Sequence, residues 1–333
     1  MKKIWFIFFV IFIFACQEKN PFKIDVSNIS VNVDIQRFDK DLFHISTDSI
    51  ERNIPFLQKK YGTFFDIFNY QIIKIGGTNE REYASRMREF RYYCHTYKIQ
   101  EEVDKNFPNL DEVKSQLISA FQHYKFYFPE KNIPKIYTMI SAFNQSVVIL
   151  DSAVAISLDK YLGQNCQFYK DLAYENYRRM RMHKGKIACD VLQAIAETEF
   201  SFNDSTNNLL NTMIHKGKIM YFLHSMFPET ADTILWDYSE KQYRWCEKYE
   251  GNIWKYLVEK KVLFINNTFE IRKYTEEAPF TAAFANVSAP RAGVWVGFKI
   301  VKAFMKQNSK ISLKNLMMEQ DYQKILNFSR YKP

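Results

Sequence analysis

Five cysteines are too few to hold a chain of 333 residues together as a disulfide scaffold. Nine glycines and nine prolines exclude a collagen-like, linker-rich or low-complexity chain. Charged residues make up 25%, and no charge block or internal repeat divides the sequence. After Cys16 the cysteines stand far apart at 94, 166, 189 and 246, with no C-x-x-C, so no metal knuckle or thioredoxin-type site is indicated. Disulfides and buried free thiols both stay open for these four. No Walker loop, G-x-G-x-x-G, G-x-S-x-G or nucleic-acid motif occurs. What the chain has in quantity is apolar and aromatic material. Apolar residues reach 47%, and 30 Phe with 21 Tyr raise the aromatic fraction to 17%, enough for a sizeable core.

Compartment is read from the first residues. Met1-Lys2-Lys3 is a short basic start, and Ile4 to Ala15 is uncharged and almost wholly apolar. A run of twelve is too short to span a bilayer as a helix, which needs about 20 residues. A basic start, a short apolar run and a small residue before the cut describe a secretory signal. Ile13-Phe14-Ala15-Cys16 resembles a bacterial lipobox, with Phe14 bulkier than its position usually accepts. The expectation is a signal peptide over 1–15 and an acylated Cys16 as first mature residue. A tether over 16–25 and a body over 26–333 follow, with two lobes divided near 185 as the alternative. Losing Lys2 and Lys3 takes the formal charge from +9 to +7. Lys59-Lys60, Arg178-Arg179 and Lys260-Lys261 are interleaved with acids or aromatics, which describes a solvated surface. Gln17 gives no inner-membrane retention signal by the enterobacterial rule. The body is expected outside the cytoplasm, facing the periplasm rather than the cell surface, with the membrane reached through lipid on Cys16 and no nucleic-acid partner.

Alternation of Val26, Ile29, Val31, Val33 and Ile35 with polar residues predicts a strand. Helices are expected over 80–94, 111–126, 187–200, 207–226, 239–259, 291–306 and 313–326, the second of them from Val113, Leu117, Phe121 and Tyr124 at three- and four-residue steps. Runs at 136–140, 146–150 and 154–158, with Asn144-Gln145 and Asp151-Ser152 between them, predict a small antiparallel meander. The fold class is therefore α+β, predominantly helical, with a small antiparallel sheet packed by helices. Ser288 is expected to cap the helix that Pro290 opens. Gly293 and Gly297, four apart on that helix, read as a site of close helix packing.

A small sheet followed by a helix raises the zincin arrangement, in which H-E-x-x-H sets two zinc ligands and a water-polarising Glu on one helix face. Here the helix after the sheet contains no histidine, and none of His44, His95, His123, His183, His215 and His224 is followed by Glu or lies four from another. His183 and His215 could meet Glu197 only through the fold. Lys216 stands where a zinc enzyme would want a carboxylate, and its charge would repel a divalent cation. Glu197 and Glu199, two apart, cannot share a helix face. No catalytic residue, metal ligand or cofactor is nominated. A second cluster runs Ala289-Pro290-Arg291-Ala292-Gly293-Val294-Trp295-Val296-Gly297-Phe298. Arg291 there either faces a groove for an acidic group or pairs with an internal carboxylate. Arg291, Trp295, Glu197 and Lys216 are the candidate partner or ligand surface.

Several phrases resemble the gliding-motility lipoprotein GldB family of Bacteroidetes. They are Val33–Phe43, Leu209–Phe222, Ala289–Val301 and the terminal Ile325–Pro333. The resemblance implies a lipoprotein associated with gliding motility and type IX secretion, partnered by envelope proteins of that machinery. The family in turn resembles zinc peptidases, and often reads Glu-Gly-Lys where this chain has Lys216-Gly217-Lys218. That departure and the missing H-E-x-x-H imply a zincin-like but degenerate fold, a pseudo-peptidase kept as a protein-binding scaffold. The alternatives are a residual hydrolase acting on peptides or peptidoglycan, and an envelope protein that captures a small ligand.

Overall fold

The computed structural model describes residues 20–46, 49–203 and 207–333. The expected signal peptide, Cys16 and the first part of the expected tether lie outside the described residues. The rest of that tether is docked against the body. Phe22 is buried against Tyr221 and His224, with ring centroids at 4.8 and 5.4 Å, and Asn20 Nδ2 donates to the Pro228 carbonyl at 3.0 Å.

Four strands form one sheet in the order β1-β2-β4-β3, where β1 is Ile35–Arg37, β2 Lys135–Met139, β3 Val147–Ile149 and β4 Ala153–Ser157. β1 pairs parallel to β2 and β2 parallel to β4, while β3 is antiparallel to β4. The sheet is thus mixed, and the antiparallel meander expected from the sequence is corrected. Burial explains the order. All five residues of β4 are buried, as are four of five in β2, and strands covered on both faces belong in the middle of a sheet. The half-buried β3 takes the edge. The return from β2 to β3 turns through Ala142 and Phe143, both left-handed at φ 52° and 67°. The fully buried Asp159 holds that turn, accepting from Ser141 N at 3.3 Å, Phe143 N at 2.5 Å and Ser157 Oγ at 2.6 Å. The expected strand over 26–35 is likewise corrected. Among the described residues of that segment, Ile35–Arg37 pair as a strand and the Asp34 carbonyl accepts from Ile136 N at 2.9 Å; β2 begins at Lys135, so the residues before Asp34 run past its end. Arg37 and Thr138 both bond the buried Asp39, which ties β1 to β2.

The long helices used below are α1 Ile50–Tyr61, α2 Tyr83–Thr96, α3 Asp111–Tyr127, α4 Ile187–Glu199, α5 Leu209–Met226, α6 Glu240–Glu259, α7 Thr268–Thr275, α8 Ala292–Gln307, α9 Leu313–Met318 and α10 Tyr322–Ser329. Two boundaries differ from expectation. The last helix divides at Glu319–Asp321. The buried Lys218 takes the Glu319 carbonyl at 2.6 Å, and the Asp321 side chain caps a new helix at Lys324 N. Ser288 does not cap α8. Its hydroxyl accepts from Thr281 N at 3.2 Å, while Thr281 Oγ1 accepts from Ala292 N at 3.0 Å. Arg291, left-handed at φ 54°, precedes the helix.

α5 is the central helix, with 14 of its 18 residues buried, and it packs against α3, α4, α7, α8, α9 and α10. Its crossing with α8 is glycine-to-glycine. A Cβ added at Gly217 would lie 2.5 Å from Phe298 N and 2.6 Å from the Gly297 carbonyl oxygen. A Cβ at Gly297 would overlap the Met213 carbonyl, and one at Gly293 would lie 2.9 Å from the Tyr274 carbonyl oxygen. The two-glycine spacing therefore does mark close packing. Gly251, in the middle of α6, has nothing nearer than 3.7 Å. Gly297→Ala is expected to cost about 2–3 kcal/mol by forcing two backbones apart, and Gly251→Ala to gain up to about 1 kcal/mol. Denaturant unfolding checks both; equal midpoints for the two variants would contradict the crossing.

Candidate functional site

α4 presents Asp190, Gln193, Ala194 and Glu197 at steps of three, four and seven, hence on one face. That face forms one side of a cleft of about 380 Å3. Lys160, Arg178 and Arg181 supply its cations, and Glu277 adds a third carboxylate to Asp190 and Glu197. The loop that Asp159 anchors helps to place Lys160, whose Nζ donates to the Phe143 carbonyl at 3.3 Å and to Tyr174 Oη at 2.9 Å. A second cleft of about 500 Å3 includes Gln71, Gln145 and Thr198. Both clefts contain Val147, Ala194 and Glu197, so together they make a groove along β3 and α4.

The outer edge of β3 is a row of backbone groups without a strand beside it among the described residues. Ser157 N bonds the Ser146 carbonyl, and Leu150 N bonds the Ala153 carbonyl. Hydrogen-bonded pairs alternate in an antiparallel ladder, so Val148 faces β4 while Val147 and Ile149 direct their N–H and C=O outward.

Beneath the groove lies an ion cluster. Lys186, fully buried, reaches Asp237 at 2.9 Å; Arg181 stands 3.7 Å from Asp237 and 3.8 Å from Asp190, and also bonds Glu277. Tyr161 donates to Asp190 Oδ2 at 2.9 Å, and Asp190 Oδ1 has no hydrogen-bond donor among the described residues. Burial raises the Asp190 carboxyl above its usual range. Burial acts the same way on Asp237, but Lys186, Arg181 and Arg291 more than offset it and hold that carboxyl low. Three cations around Asp237 make this a poor site for a divalent metal, whose charge they would oppose. Among the described residues no group of three or more His, Cys, Asp or Glu could hold a metal ion.

The candidate residues do not assemble into one surface. Glu197 is in the groove, where Gln193 Nε2 donates to it at 2.8 Å. Glu199 is turned away, to Tyr124 Oη at 2.9 Å and Lys131 at 3.2 Å. Lys216 pairs with Glu276 at 2.6 Å. Arg291 and Trp295 are corrected as surface residues. Arg291 pairs internally, 4.0 Å from Asp237 and 2.5 Å from the Trp236 carbonyl. Trp295 is 1% exposed, its ring 5.2 Å from those of both Trp236 and Tyr243. His183 and His215 do not join Glu197. His215 lies 3.3 Å from Tyr322 Oη, and burial lowers its pKa to about 4. Cys94, Cys189 and Cys246 are buried thiols, and Cys166 is a free, half-buried one. Sequence reading missed Arg181, Lys186, Asp190 and Asp237. For Lys186 and Asp190 a signal existed, single charges beside the apolar run of α4.

A family model described as "Gliding motility protein GldB" matches residues 19–333. No curated protein and no solved structure matches the chain, so the expected likeness to zinc peptidases gains no support there. No described helix is long and apolar enough to cross a membrane. Asp237→Ala would leave Lys186, Arg181 and Arg291 facing one another and is expected to cost about 3–5 kcal/mol. Thermal and denaturant unfolding measure it; a loss under about 1 kcal/mol would show that the cluster is not a coupled unit.

Proposed function

We propose, from the premise that this chain belongs to the GldB gliding-motility protein family, that it is a lipid-anchored envelope component that holds a protein partner of the motility and type IX secretion machinery without catalysing a reaction. The lipid sits on Cys16, the first mature residue, and the body stands outside the cytoplasm, facing the periplasm. The observation that carries the binding reading is the open edge of β3 beside the α4 groove. An extended segment of the partner adds as a further strand, bonding the outward groups of Val147 and Ile149, and its side chains lie over α4. Three cations and three carboxylates line the first cleft, so the segment it suits carries charges of both signs.

The engagement of the acids described at the groove supports the non-catalytic reading. Asp190 and Asp237 are committed to Tyr161, Lys186 and Arg181, and Glu197 and Glu199 point to different partners.

A photo-crosslinker at Thr198, used in living cells, tests the reading. Wild type is expected to yield a defined adduct with an envelope protein of the motility or secretion apparatus. Ile149→Pro removes an outward N–H while leaving the Val148 bond to β4, and it should abolish the adduct. Ile149→Ala keeps the N–H and should retain it. An adduct indifferent to Ile149→Pro, or stoichiometric zinc with peptide cleavage, would overturn the reading.

A further inference from the structure

The charges of the first cleft are unequally engaged. Arg181 is taken by Glu277, Asp190 and Asp237, and Arg178 faces Glu175 at 3.3 Å. Lys160 is different. Its Nζ meets the Phe143 carbonyl, the Tyr174 hydroxyl and, at 4.6 Å, the Tyr174 ring, and it forms no ion pair among the described residues. An ammonium carries three donors, so one is left after Phe143 and Tyr174. Glu197 is the matching acid: Gln193 donates to it, and it too forms no ion pair among the described residues. Glu197 belongs to both clefts, while Lys160 belongs to the first alone. The groove therefore keeps a cation at one end and a carboxylate farther along.

Topology fixes which end holds the cation. β4 runs antiparallel to β3, and Ser157 N bonds the Ser146 carbonyl at 2.9 Å, so the end of β4 lies beside the start of β3. Lys160 follows Ser157 by three residues and reaches back to Phe143, which precedes β3. Its ammonium thus stands past the Val147 end of the open edge. The edge itself stops there. Ala142 and Phe143 are left-handed, and Asn144 N and Gln145 N are both spent on Ser141 Oγ, at 3.1 and 3.2 Å. A strand added to β3 bonds Ile149 and Val147, and the two amides before Ser146 have no donor left for it.

Antiparallel addition, the commoner of the two pairings, sends the C-terminal end of the added strand toward Lys160. We propose that the partner segment is a chain end: it adds antiparallel to β3 and stops there, its free C-terminal carboxylate bound by the Lys160 ammonium. This deepens, and rests on, the reading that β3 receives a partner strand. A parallel strand would present its amino end to Lys160 and carry its carboxyl end past Glu197, setting like charge against like. Backbone bonds to the edge are blind to sequence, so the carboxylate at Lys160 is what sets the register and selects a tail over an internal strand.

Random peptides displayed at the C-terminus of a carrier protein supply the probe. One library ends in a free carboxylate, and its twin continues into a short Gly-Ser extension. Both are selected on the full chain in detergent, as wild type and as Ile149→Pro. Sequences kept by wild type and lost by Ile149→Pro are edge binders. They are expected from the free-end library and not from its twin. Made as synthetic peptides, they should bind wild type about tenfold more weakly once the carboxyl is amidated, the loss of one hydrogen bond between charged groups. In Lys160→Gln, which keeps a donor for Phe143 and Tyr174, acid and amide should bind alike. Edge binders recovered equally from both libraries, an amide as tight as the acid on wild type, or an acid preference that persists in Lys160→Gln overturns this inference alone and leaves β3 as the binding edge. No edge binder from either library overturns both readings. The amide comparison on wild type needs no substitution, and unchanged thermal unfolding shows that Lys160→Gln is folded.

Discussion

The contact between Gly217 and Gly297 sets the rest of the structure. No side chain separates α5 from α8 there, and each added Cβ would run into the other helix's backbone. That approach brings the start of α8 beside Trp236 and Asp237, where Arg291 joins the ion cluster. It also brings Phe298 onto His224 and Trp236, with ring centroids 4.7 and 5.5 Å apart. The ion cluster beneath the groove and the seat of Phe22 against His224 therefore both depend on one helix crossing. Burial of a helix as apolar as α5 supplies the driving force, and glycine supplies the geometry.

The charges tell a second story. Buried ions are costly unless paired, and pairing removes them from chemistry. Lys186, Arg181 and Arg291 are spent on Asp237, and Tyr161 on one oxygen of Asp190. The cluster fixes the relation between α4, the segment before it and the loop at Asp237. What stays available is the backbone edge of β3 and the exposed Glu197 above it. These engaged charges support the proposed reading of a binding groove in this member of the GldB gliding-motility protein family.

Much of the helical architecture was legible, most directly in α3, where Val113, Leu117, Phe121 and Tyr124 recur at three- and four-residue steps and are all buried. The close packing at Gly297 was legible from its spacing to Gly293. The strand order was not. Three short apolar runs look alike in sequence, and only burial on both faces distinguishes central β4 from edge β3. The split of the final helix was hidden because its cause, Lys218, lies a hundred residues away. The site was legible only in Glu197. Arg181, Lys186, Asp190 and Asp237 meet through tertiary contacts that leave no local pattern, and Arg291 could be read either toward a groove or toward an internal acid until Asp237 was located beside it.

Amide hydrogen exchange of the segment 145–150 would test the central claim most directly, comparing the protein in its native membranes with the same protein after detergent extraction and purification. If β3 receives a partner strand, the outward amides of Val147 and Ile149 are protected in the membranes and exchange freely once the protein is purified. Fast exchange in both states would contradict the proposal that this edge is where the protein holds its partner.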